Sequence, residues 1–279
     1  MEKFYDGLSF RISALITRSY STSFSIAISF LRRDMKEAIY SVYGFVRFAD
    51  EIVDSFHNYD KQKLLAKFEA DYYEAIASGI SMNPVLHSFQ KTVKKYNIPD
   101  HLVQAFLKSM KYDLYQKEYT TKDEMGEYIY GSAEVVGLMC LMIFLDGDEQ
   151  RYKSLEEPAR KLGSAFQKVN FLRDLKADIH HLGRRYFPET TGGNFNEEIK
   201  NRIIQDIRND FKASYEGIKA LPGNARLGVF IAYRYYQKLL KKISATPAEE
   251  LMNRRIRVPD YVKFFIMLKA YIQNKFNIL

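Results

Sequence analysis

Tryptophan is absent from this 279-residue sequence, and cysteine occurs once, at Cys140. A single cysteine excludes an intramolecular disulfide and a cysteine-rich metal site, and it is typical of a protein from a reducing compartment. The glycine-rich patterns GxGxxG and GxxxxGK[ST] are also missing. Their absence argues against a dinucleotide-binding fold and against a P-loop enzyme.

Long apolar runs are missing as well. The longest uncharged stretches, 19–31 and 135–145, are shorter than the roughly 18 to 20 apolar residues that a membrane-spanning helix needs. Charged residues interrupt the stretch 1–24, so we expect no secretory signal core there. These features predict a cytoplasmic protein that is not integral to a membrane.

Basic residues outnumber acidic ones, with 42 Lys and Arg against 34 Asp and Glu. The resulting net charge of +8 suits nucleic acid, an anionic membrane surface or a phosphorylated small molecule. The basic residues are spread along the chain without a dense run, so we do not expect nucleic-acid binding. Aromatic residues make up 15% of the chain, and we expect some of them to line a large apolar cavity.

Seven prolines and fourteen glycines separate long segments in which apolar residues recur at spacings of three and four. This periodicity predicts an all-α protein. The predicted helices cover 9–30, 35–56, 61–79, 83–96, 100–118, 122–145, 149–182, 196–220, 225–244 and 259–275. No gap between them has the composition of a flexible linker, so we expect residues 1–279 to form one domain.

An acidic motif lies in the segment YGFVRFADEIVDSF. Asp50 and Asp54 are one helical turn apart and therefore share a face of the predicted helix. The flanking residues are apolar, which indicates a buried helix, and unpaired acids there would be costly unless a cation offsets them. The alternative is that these acids pair with Arg47 or with lysines on a solvated face.

A second acidic motif lies in QKVNFLRDLKADIHHLGRR. Asn170, Asp174 and Asp178 recur at intervals of four, and Gln167 lies one turn before them, so all four share a helical face. Two such helices facing each other across a cavity would hold several Mg²⁺ ions that bridge to diphosphate oxygens. Metal-bound diphosphate is a better leaving group, so the pattern favours ionisation of an allylic diphosphate.

Both motifs resemble the signatures of the phytoene/squalene synthase family, the head-to-head prenyl synthases. The first signature, R-x-x-D-[DE]-x-x-D, appears at 47–54, and the second, N-x-x-R-D-x-x-x-D followed by Y-[FL]-P, appears as NFLRDLKAD and GRRYFP. Further matches at 21–24, at Asp113 and at 128–137 extend the resemblance from about 19 to 259, in wording most like bacterial phytoene synthases. The resemblance implies a class I isoprenoid synthase helical bundle with a central cavity.

The resemblance also implies roles for individual residues. Asp50, Asp54, Asp174 and Asp178 would bind Mg²⁺ with help from Asn170, and Tyr128 would act at the reaction centre. The implied substrate-binding residues are Ser21, Ser23, Phe24, Arg47, Asp113, Ala133, Val136, Gly137, Gln167, Asn170, Arg173, Tyr236 and Arg255. Among these, Arg47 and Arg173 would contact diphosphate. The alternatives are a core position for Tyr128 and Tyr236 and a solvated charge for Arg255.

Three positions depart from the family pattern. Tyr20 replaces a histidine found in many relatives, and Thr22 replaces a lysine that often lies in the S-x-S-F segment. One diphosphate contact is therefore either missing or supplied from elsewhere. Glu134 stands where relatives usually have glycine, and we expect it either to pair with a nearby arginine or to face outward.

The expected reaction is the Mg²⁺-dependent joining of two geranylgeranyl diphosphates, through a cyclopropylcarbinyl diphosphate, to phytoene, without NADPH. The alternatives are squalene or dehydrosqualene synthesis from farnesyl diphosphate and, in another class, a non-catalytic helical protein that binds prenyl diphosphates. The base that removes the final proton would be Tyr128 or released diphosphate. The choice between C20 and C15 chains would depend on the cavity floor, which we expect among Phe24, Ile26, Val136, Leu138 and Met139.

The C-terminal segment 258–279 is basic and amphipathic, with Lys263, Lys269 and Lys275 among apolar residues. Because the substrates are apolar, we expect transient peripheral contact of this segment with the inner face of the membrane. The alternative is an ordinary packed terminal helix. The sequence does not indicate an oligomeric state.

Overall fold

Helices carry nearly the whole chain in the computed structural model, which describes residues 2–276. The α-helices of this range are α1 Glu2–Tyr20, α2 Thr22–Ser29, α3 Arg33–Ser55, α4 Lys61–Ser78, α5 Pro84–Tyr96, α6 Asp100–Tyr112, α7 Lys122–Ile129, α8 Val135–Phe144, α9 Glu149–Ala177, α10 Glu197–Ala220, α11 Gly223–Ser244, α12 Ala248–Asn253 and α13 Asp260–Lys275. Residues 2–276 contain no strand, and extended backbone pairs only at a single bridge between Glu118 and Arg185. The prediction of an all-α fold is confirmed.

Local capping explains several helix starts. Asn83 accepts hydrogen bonds from the amides of Val85 and Leu86, with proline at the first position of α5, and Thr121 and Glu124 form a reciprocal capping box at α7. Such caps satisfy amides that have no partner inside the helix. The predicted bounds of α3, α4, α5, α10, α11 and α13 agree with the structure to within two residues.

The other predicted helices have wrong bounds or miss an interruption, and the first helix begins at Glu2, seven residues before the predicted start at 9. The helix predicted at 9–30 is interrupted at Ser21, whose backbone is extended and whose side chain caps α2 by accepting from the Phe24 amide. The helix predicted at 100–118 ends at Tyr112. The helices predicted at 122–145 and 149–182 contain π-helical turns at Tyr130–Glu134 and Asp178–Leu182. The short helix α12 and a 3-10 turn at Pro188–Gly193 were not predicted.

Two apolar clusters form the core of the bundle. In the first, Phe45 is fully buried and stacks on Phe89 with ring centroids 4.0 Å apart, which joins α3 to α5. In the second, Phe171 and Leu239 belong to the buried set that joins α9, α10 and α11. Phe24 packs against both clusters, and residues of both line a central cavity.

A close helix crossing shapes one wall of that cavity. A Cβ atom at Gly163 of α9 would lie 2.9 Å from the carbonyl oxygen of Ala133, and one at Gly137 would lie 3.3 Å from the carbonyl oxygen of Ala159. Glycine therefore permits the backbone of α9 to pack directly against the π-helical turn and the start of α8. This contact places Ala133 and Gly137 at the cavity surface.

The continuous helical run Lys122–Phe144 is long and apolar enough to cross a membrane by length and composition. Half of its most apolar window is buried inside the bundle, where α8 packs against α3, α6 and α9. A core helix of a soluble protein can have this length and composition, so these two properties are weak evidence for a membrane span.

Candidate active site

A cavity of about 1010 Å³ runs through the bundle, and every residue that the sequence analysis placed in the site lines it. The set comprises Ser21, Ser23, Phe24, Arg47, Asp50, Asp54, Asp113, Tyr128, Ala133, Val136, Gly137, Gln167, Asn170, Arg173, Asp174, Asp178, Tyr236 and Arg255. Fifteen of these residues lie on six helices (α2, α3, α7, α8, α9 and α11) and the two π-helical turns, and Ser21, Asp113 and Arg255 lie in segments that connect helices. Their shared location is a finding of the structure, whereas the roles assigned to them stay predictions.

The cavity changes character along its length. On α3 the lining passes from Ile39 and Val42 to Asp50 and Asp54, and on α9 it passes from Leu155 through Phe166 to the second acidic motif. Both helices therefore present apolar side chains in their N-terminal parts and carboxylates at their C-terminal ends. At 1.5 Å per residue, the step from Ile39 to Asp54 covers roughly 22 Å. One end of the cavity is acidic and the other is apolar.

The first acidic motif lies in the last turns of α3. Enclosure in the cavity and the nearby carboxylate of Asp54 raise the pKa of Asp50 to about 8. Arg47 forms an ion pair with Glu51 and has its Nη1 atom 4.0 Å from Asp50. Arg47 therefore pairs with acidic residues, as the alternative of a solvated face predicted. Arg47, Asp50 and Asp54 nevertheless line the cavity, whereas Glu51 does not.

The second acidic motif lies opposite, at the end of α9. Asp174 forms ion pairs with Arg173 and with Arg255, whose Nε atom is 2.6 Å from the carboxylate. Burial raises the pKa of Asp178 to about 8, with further contributions from Asp174 and Asp54. Both motifs line the same cavity from different helices, and the Asp54 carboxylate of the first motif is close enough to contribute to the raised pKa of Asp178 in the second.

Oxygen ligands suited to Mg²⁺ are present on both sides of this gap. Residues 2–276 contain no group of three His, Cys, Asp or Glu side chains close enough to hold a metal ion by themselves. Two carboxyl groups whose pKa values rise to about 8 would nevertheless gain from added positive charge. An all-oxygen donor set that leaves several positions open matches a hard cation that keeps waters and takes diphosphate oxygens. The residues therefore fit the predicted metal.

Arg184 is a site residue that the sequence analysis did not select. Its side chain is only 3% exposed, and it donates to the Asp54 carboxylate at 2.7 Å and to the Asp113 carbonyl oxygen at 2.8 Å. It thus ties the acidic end of α3 to the end of α6. Its position in GRRYFP, shortly after the second acidic motif, was the one feature of the sequence that could have indicated a site residue. The sequence pattern does not distinguish which of the two arginines is buried.

Tyr128 and Asp113 form a buried hydrogen-bonded pair beside the acidic end. The Tyr128 hydroxyl donates to the Asp113 carboxylate, with both oxygens at 2.9 Å. Burial raises the pKa of Asp113 to about 7 and holds the pKa of Tyr128 well above its usual range. Tyr186 stacks on Phe171 with centroids 3.9 Å apart and lies 5.3 Å from Tyr128. Tyr128 is therefore buried and also lines the cavity.

A second aromatic group lines the middle of the cavity. Tyr236 stacks on Phe166 with ring centroids 4.0 Å apart and approaches Phe24 at 6.2 Å. Its hydroxyl donates to Asn170 at 3.2 Å, which connects the aromatic wall to the second acidic motif. Gln167, one turn before Asn170, donates to Ser132 at 3.3 Å.

The predicted cavity floor is only partly correct. Phe24 and Val136 line the cavity, but Ile26, Leu138 and Met139 do not. Leu138 and Met139 point into the first apolar cluster instead, because a helix can turn only one face of its 3.6-residue repeat toward the cavity. The residues of α8 on that face are Val136, Gly137, Cys140, Leu141 and Phe144, joined at the apolar end by Leu31, Leu155 and Leu221.

The residues at the three positions that depart from the family pattern each make a defined contact in the structure. Glu134 accepts a hydrogen bond from Arg160 Nε at 2.7 Å and does not line the cavity. The expectation that Glu134 pairs with a nearby arginine is therefore met. The guanidinium of Arg47 lies 4.2 Å from the ring centroid of Tyr20, and Thr22 accepts from Lys263 at 2.9 Å.

Comparison with known proteins identifies the family. A family model described as squalene/phytoene synthase matches residues 17–261. The chain belongs to the squalene/phytoene synthase family. It is 26% identical to phytoene synthase of Arthrospira platensis, with 96% of this chain and 94% of that protein covered. It is 27% identical to the chloroplastic phytoene synthase 2 of Solanum lycopersicum, with 93% and 88% covered.

A crystal structure of a dehydrosqualene synthase in complex with ligand has the same fold. It superposes with a TM-score of 0.81 at 22% identity, covering 97% of this chain and 98% of that chain. The predicted family and the class I isoprenoid synthase fold are thereby confirmed. Members of this family are prenyltransferases, so this protein is a prenyltransferase, and membership supports head-to-head condensation of prenyl diphosphates.

Proposed function

We propose that this protein joins two molecules of geranylgeranyl diphosphate head to head and converts the product to phytoene. The observation that supports the proposal is that two carboxylate motifs on different helices line one end of a cavity whose other end is apolar. The two phytoene synthases described above match nearly the whole chain, which favours C20 substrates and phytoene as the product.

The diphosphate groups would bind at the acidic end, and Mg²⁺ held between Asp50, Asp54, Asp174, Asp178 and Asn170 would neutralise their charge and make them better leaving groups. Arg47, Arg173 and Arg255 line this end, where their guanidinium groups would hold diphosphate oxygens. The prenyl chains would extend past Phe166 and Tyr236 toward the apolar end. Aromatic ring faces there would stabilise carbocations and exclude water.

The reaction proceeds in two steps. In the first, the bond between carbon and one diphosphate breaks, the double bond of the second substrate attacks the allylic cation, and loss of a proton closes a cyclopropane ring. In the second, the remaining diphosphate leaves, the ring rearranges, and loss of another proton gives the conjugated triene. No electrons are supplied in either step, so NADPH is not required for phytoene.

The pair Tyr128 and Asp113 is suited to receive a proton. The Tyr128 hydroxyl stays protonated because its pKa is raised well above the usual value. Its oxygen would accept a proton from the substrate as its own proton moves to Asp113, 2.9 Å away. Released pyrophosphate is the competing acceptor. Asp113→Asn should slow proton loss and flatten the pH profile of kcat, whereas an unchanged profile would favour pyrophosphate.

The test of the reaction is incubation of purified protein with Mg²⁺ and either geranylgeranyl or farnesyl diphosphate, followed by mass analysis of the extracted hydrocarbon. A C40 triene from the first substrate without NADPH is the expected result. A C30 product from farnesyl diphosphate alone would instead establish dehydrosqualene synthesis, or squalene synthesis if NADPH is needed. The structural similarity to a dehydrosqualene synthase is the observation that favours dehydrosqualene synthesis as the second candidate function.

A non-catalytic prenyl-diphosphate-binding protein is the remaining alternative, and it predicts no hydrocarbon from either substrate, with or without NADPH. The metal assignment has a separate test. Mg²⁺ plus pyrophosphate should raise the melting temperature of the wild type and not that of an Asp50→Ala, Asp174→Ala double variant. Equal stabilisation of both proteins would contradict the assignment.

We also propose a cytoplasmic location with transient contact between α13 and an anionic membrane. The outer face of α13 exposes Tyr261, Phe264, Phe265, Leu268, Tyr271 and Ile272 beside the exposed Lys269, and its first turn lines the cavity. Residues 277–279 of the predicted membrane segment lie outside the described residues. Phe264→Ser with Phe265→Ser should reduce co-flotation with anionic vesicles, whereas Met82→Ser, at a 97% exposed position elsewhere, should not.

A further inference from the structure

A π-helical turn interrupts the helical run that carries Tyr128 into the cavity wall. The turn spans Tyr130–Glu134 and directly follows α7, so it connects Tyr128, in the last turn of α7, to the start of α8. Turns of this kind are rare inside helices and are frequent at functional sites. The contacts that hold this turn in place therefore bear on where the Tyr128 hydroxyl lies.

One edge of α9 contacts the turn along its whole length. Gly163 allows the two backbones to touch, since a Cβ atom there would lie 2.9 Å from the carbonyl oxygen of Ala133. On the cavity side, Gln167 donates to Ser132 at 3.3 Å. Arg160, Gly163 and Gln167 are spaced by three and four residues, so they share one edge of the helix that is about 10 Å long.

Arg160 contacts both ends of the turn from outside the cavity. Its Nε atom donates to the Glu134 carboxylate at 2.7 Å, and its guanidinium carbon lies 5.2 Å from the ring centroid of Tyr130. None of these three residues lines the cavity. The Glu134 side chain is only 13% exposed, and burial raises its pKa while Arg160 favours the carboxylate. The first and last residues of the turn are thus joined through one guanidinium group.

The contact between Arg160 and Glu134 is specific. Within residues 2–276, no other basic nitrogen lies within 4.0 Å of the Glu134 carboxylate. The second acidic neighbour of Arg160 is Glu157 at 3.7 Å, whose side chain is 64% exposed, so water screens that pair strongly. Glu134 is also one of the three departures from the family pattern, and this contact therefore lies outside the signature residues.

We propose that Glu134 and Arg160 are positioning residues that fix the π-helical turn from outside the cavity and thereby place the Tyr128 hydroxyl. The proposal rests on the proposed function in that Tyr128 and Asp113 receive a proton there. Neither positioning residue would touch the substrate. Relaxation of the turn to a regular α-helix would change the register by one residue and rotate the flanking helices by about 100° relative to each other. Even partial relaxation would therefore move the hydroxyl away from its partner.

The first test is amide hydrogen exchange of residues 128–137, followed by mass spectrometry. Glu134→Ala removes the contact and keeps a good helix former, so exchange should be about tenfold faster than in the wild type. Glu134→Gln can still accept from Arg160 and should exchange at the wild-type rate. Glu198→Ala, which removes an exposed ion pair with Arg202 on α10, should also leave this exchange unchanged. Unchanged exchange in Glu134→Ala, or equally fast exchange in Glu134→Gln, would overturn the proposal.

Steady-state kinetics with the prenyl substrate separates positioning from a purely structural role. In Glu134→Ala, kcat should fall about tenfold because the proton acceptor is displaced, whereas KM should change by less than about twofold because the diphosphate-binding end is untouched. Glu134→Gln should retain the wild-type kcat. Faster exchange with an unchanged kcat would overturn the positioning role. A wild-type protein that forms no hydrocarbon would instead refute the proposed reaction, and the exchange rates would still decide whether the contact holds the turn.

Discussion

Arg184 is the buried cation on which the acidic end of the cavity depends, and Arg184→Met tests that dependence. The guanidinium group is 3% exposed and lies 2.7 Å from the Asp54 carboxylate and 3.6 Å from that of Asp113. Removing one partner of a buried ion pair leaves uncompensated charge and costs about 3–5 kcal/mol. For a chain of this length the corresponding fall in melting temperature is on the order of 6–10 °C.

The loss should depend on pH in a defined direction. Burial already raises the pKa of Asp113 to about 7, and Arg184 acts in the opposite sense by favouring the carboxylate. Without Arg184 the folded-state pKa of Asp113 rises further above its unfolded value. A carboxyl group whose pKa is higher in the folded state than in the unfolded state lowers the free energy of unfolding as the pH rises above the unfolded pKa. The reason is that the folded state disfavours ionisation of the group. The variant should therefore lose more stability at pH 9 than at pH 5.

The assay is thermal unfolding at both pH values, with and without Mg²⁺ and pyrophosphate, and Arg185→Met is the matched control. Arg185 is the next residue and pairs with the exposed Glu118 at 3.4 Å, so its loss should cost less than about 1 kcal/mol. Mg²⁺ should recover part of the stability of the Arg184 variant by replacing the missing positive charge. Equal melting temperatures for the two variants, or a larger loss at pH 5, would refute the reasoning.

Three further changes have expected outcomes. Lys168→Met removes the ammonium group 2.8 Å from the buried Asp210, and denaturant unfolding should show a loss of about 3–5 kcal/mol that a second change, Asp210→Asn, largely relieves. Gly163→Ala forces a Cβ to within 2.9 Å of the π-helical turn and should cost about 1–3 kcal/mol in the same assay, whereas Gly126→Ala, with open space around it, should not destabilise. Enclosure in the wall of the cavity raises the pKa of Cys140 to about 12. Its alkylation at pH 8, followed by mass spectrometry, should therefore be about a thousandfold slower than that of a free thiol, and a comparable rate would contradict the raised pKa.

The parts of the site that could be predicted are those set by local helical geometry. Asp50 and Asp54, like Asp174 and Asp178, share a face because residues four apart always do in a helix. The amphipathic pattern then fixes which face turns inward. The same reasoning failed for Leu138 and Met139, because a helix that is apolar all round gives no signal about which side borders the cavity and which side borders the core.

The parts that could not be predicted depend on contacts between distant segments. Arg184 reaches Asp54 across 130 positions and Lys263 reaches Thr22 across 241. Nothing local distinguishes Arg184 from Arg185, since the choice between burial and exposure is made where the segment after α9 folds back against α3 and α6. The break at Ser21 was similarly missed, although a serine directly before a helical segment is a common N-cap.

The separation of the cavity into an acidic end and an apolar end divides the chemistry between two regions. In the proposed reaction, ionisation of a diphosphate would depend on carboxylates in the last turns of α3 and α9, whereas the length of the bound chain would depend on residues such as Ile39 and Leu155, which line the cavity from the N-terminal parts of the same helices. These regions are separated by roughly 22 Å along α3. Substitutions at the apolar end can therefore alter which chain length fits without touching the groups that bind diphosphate.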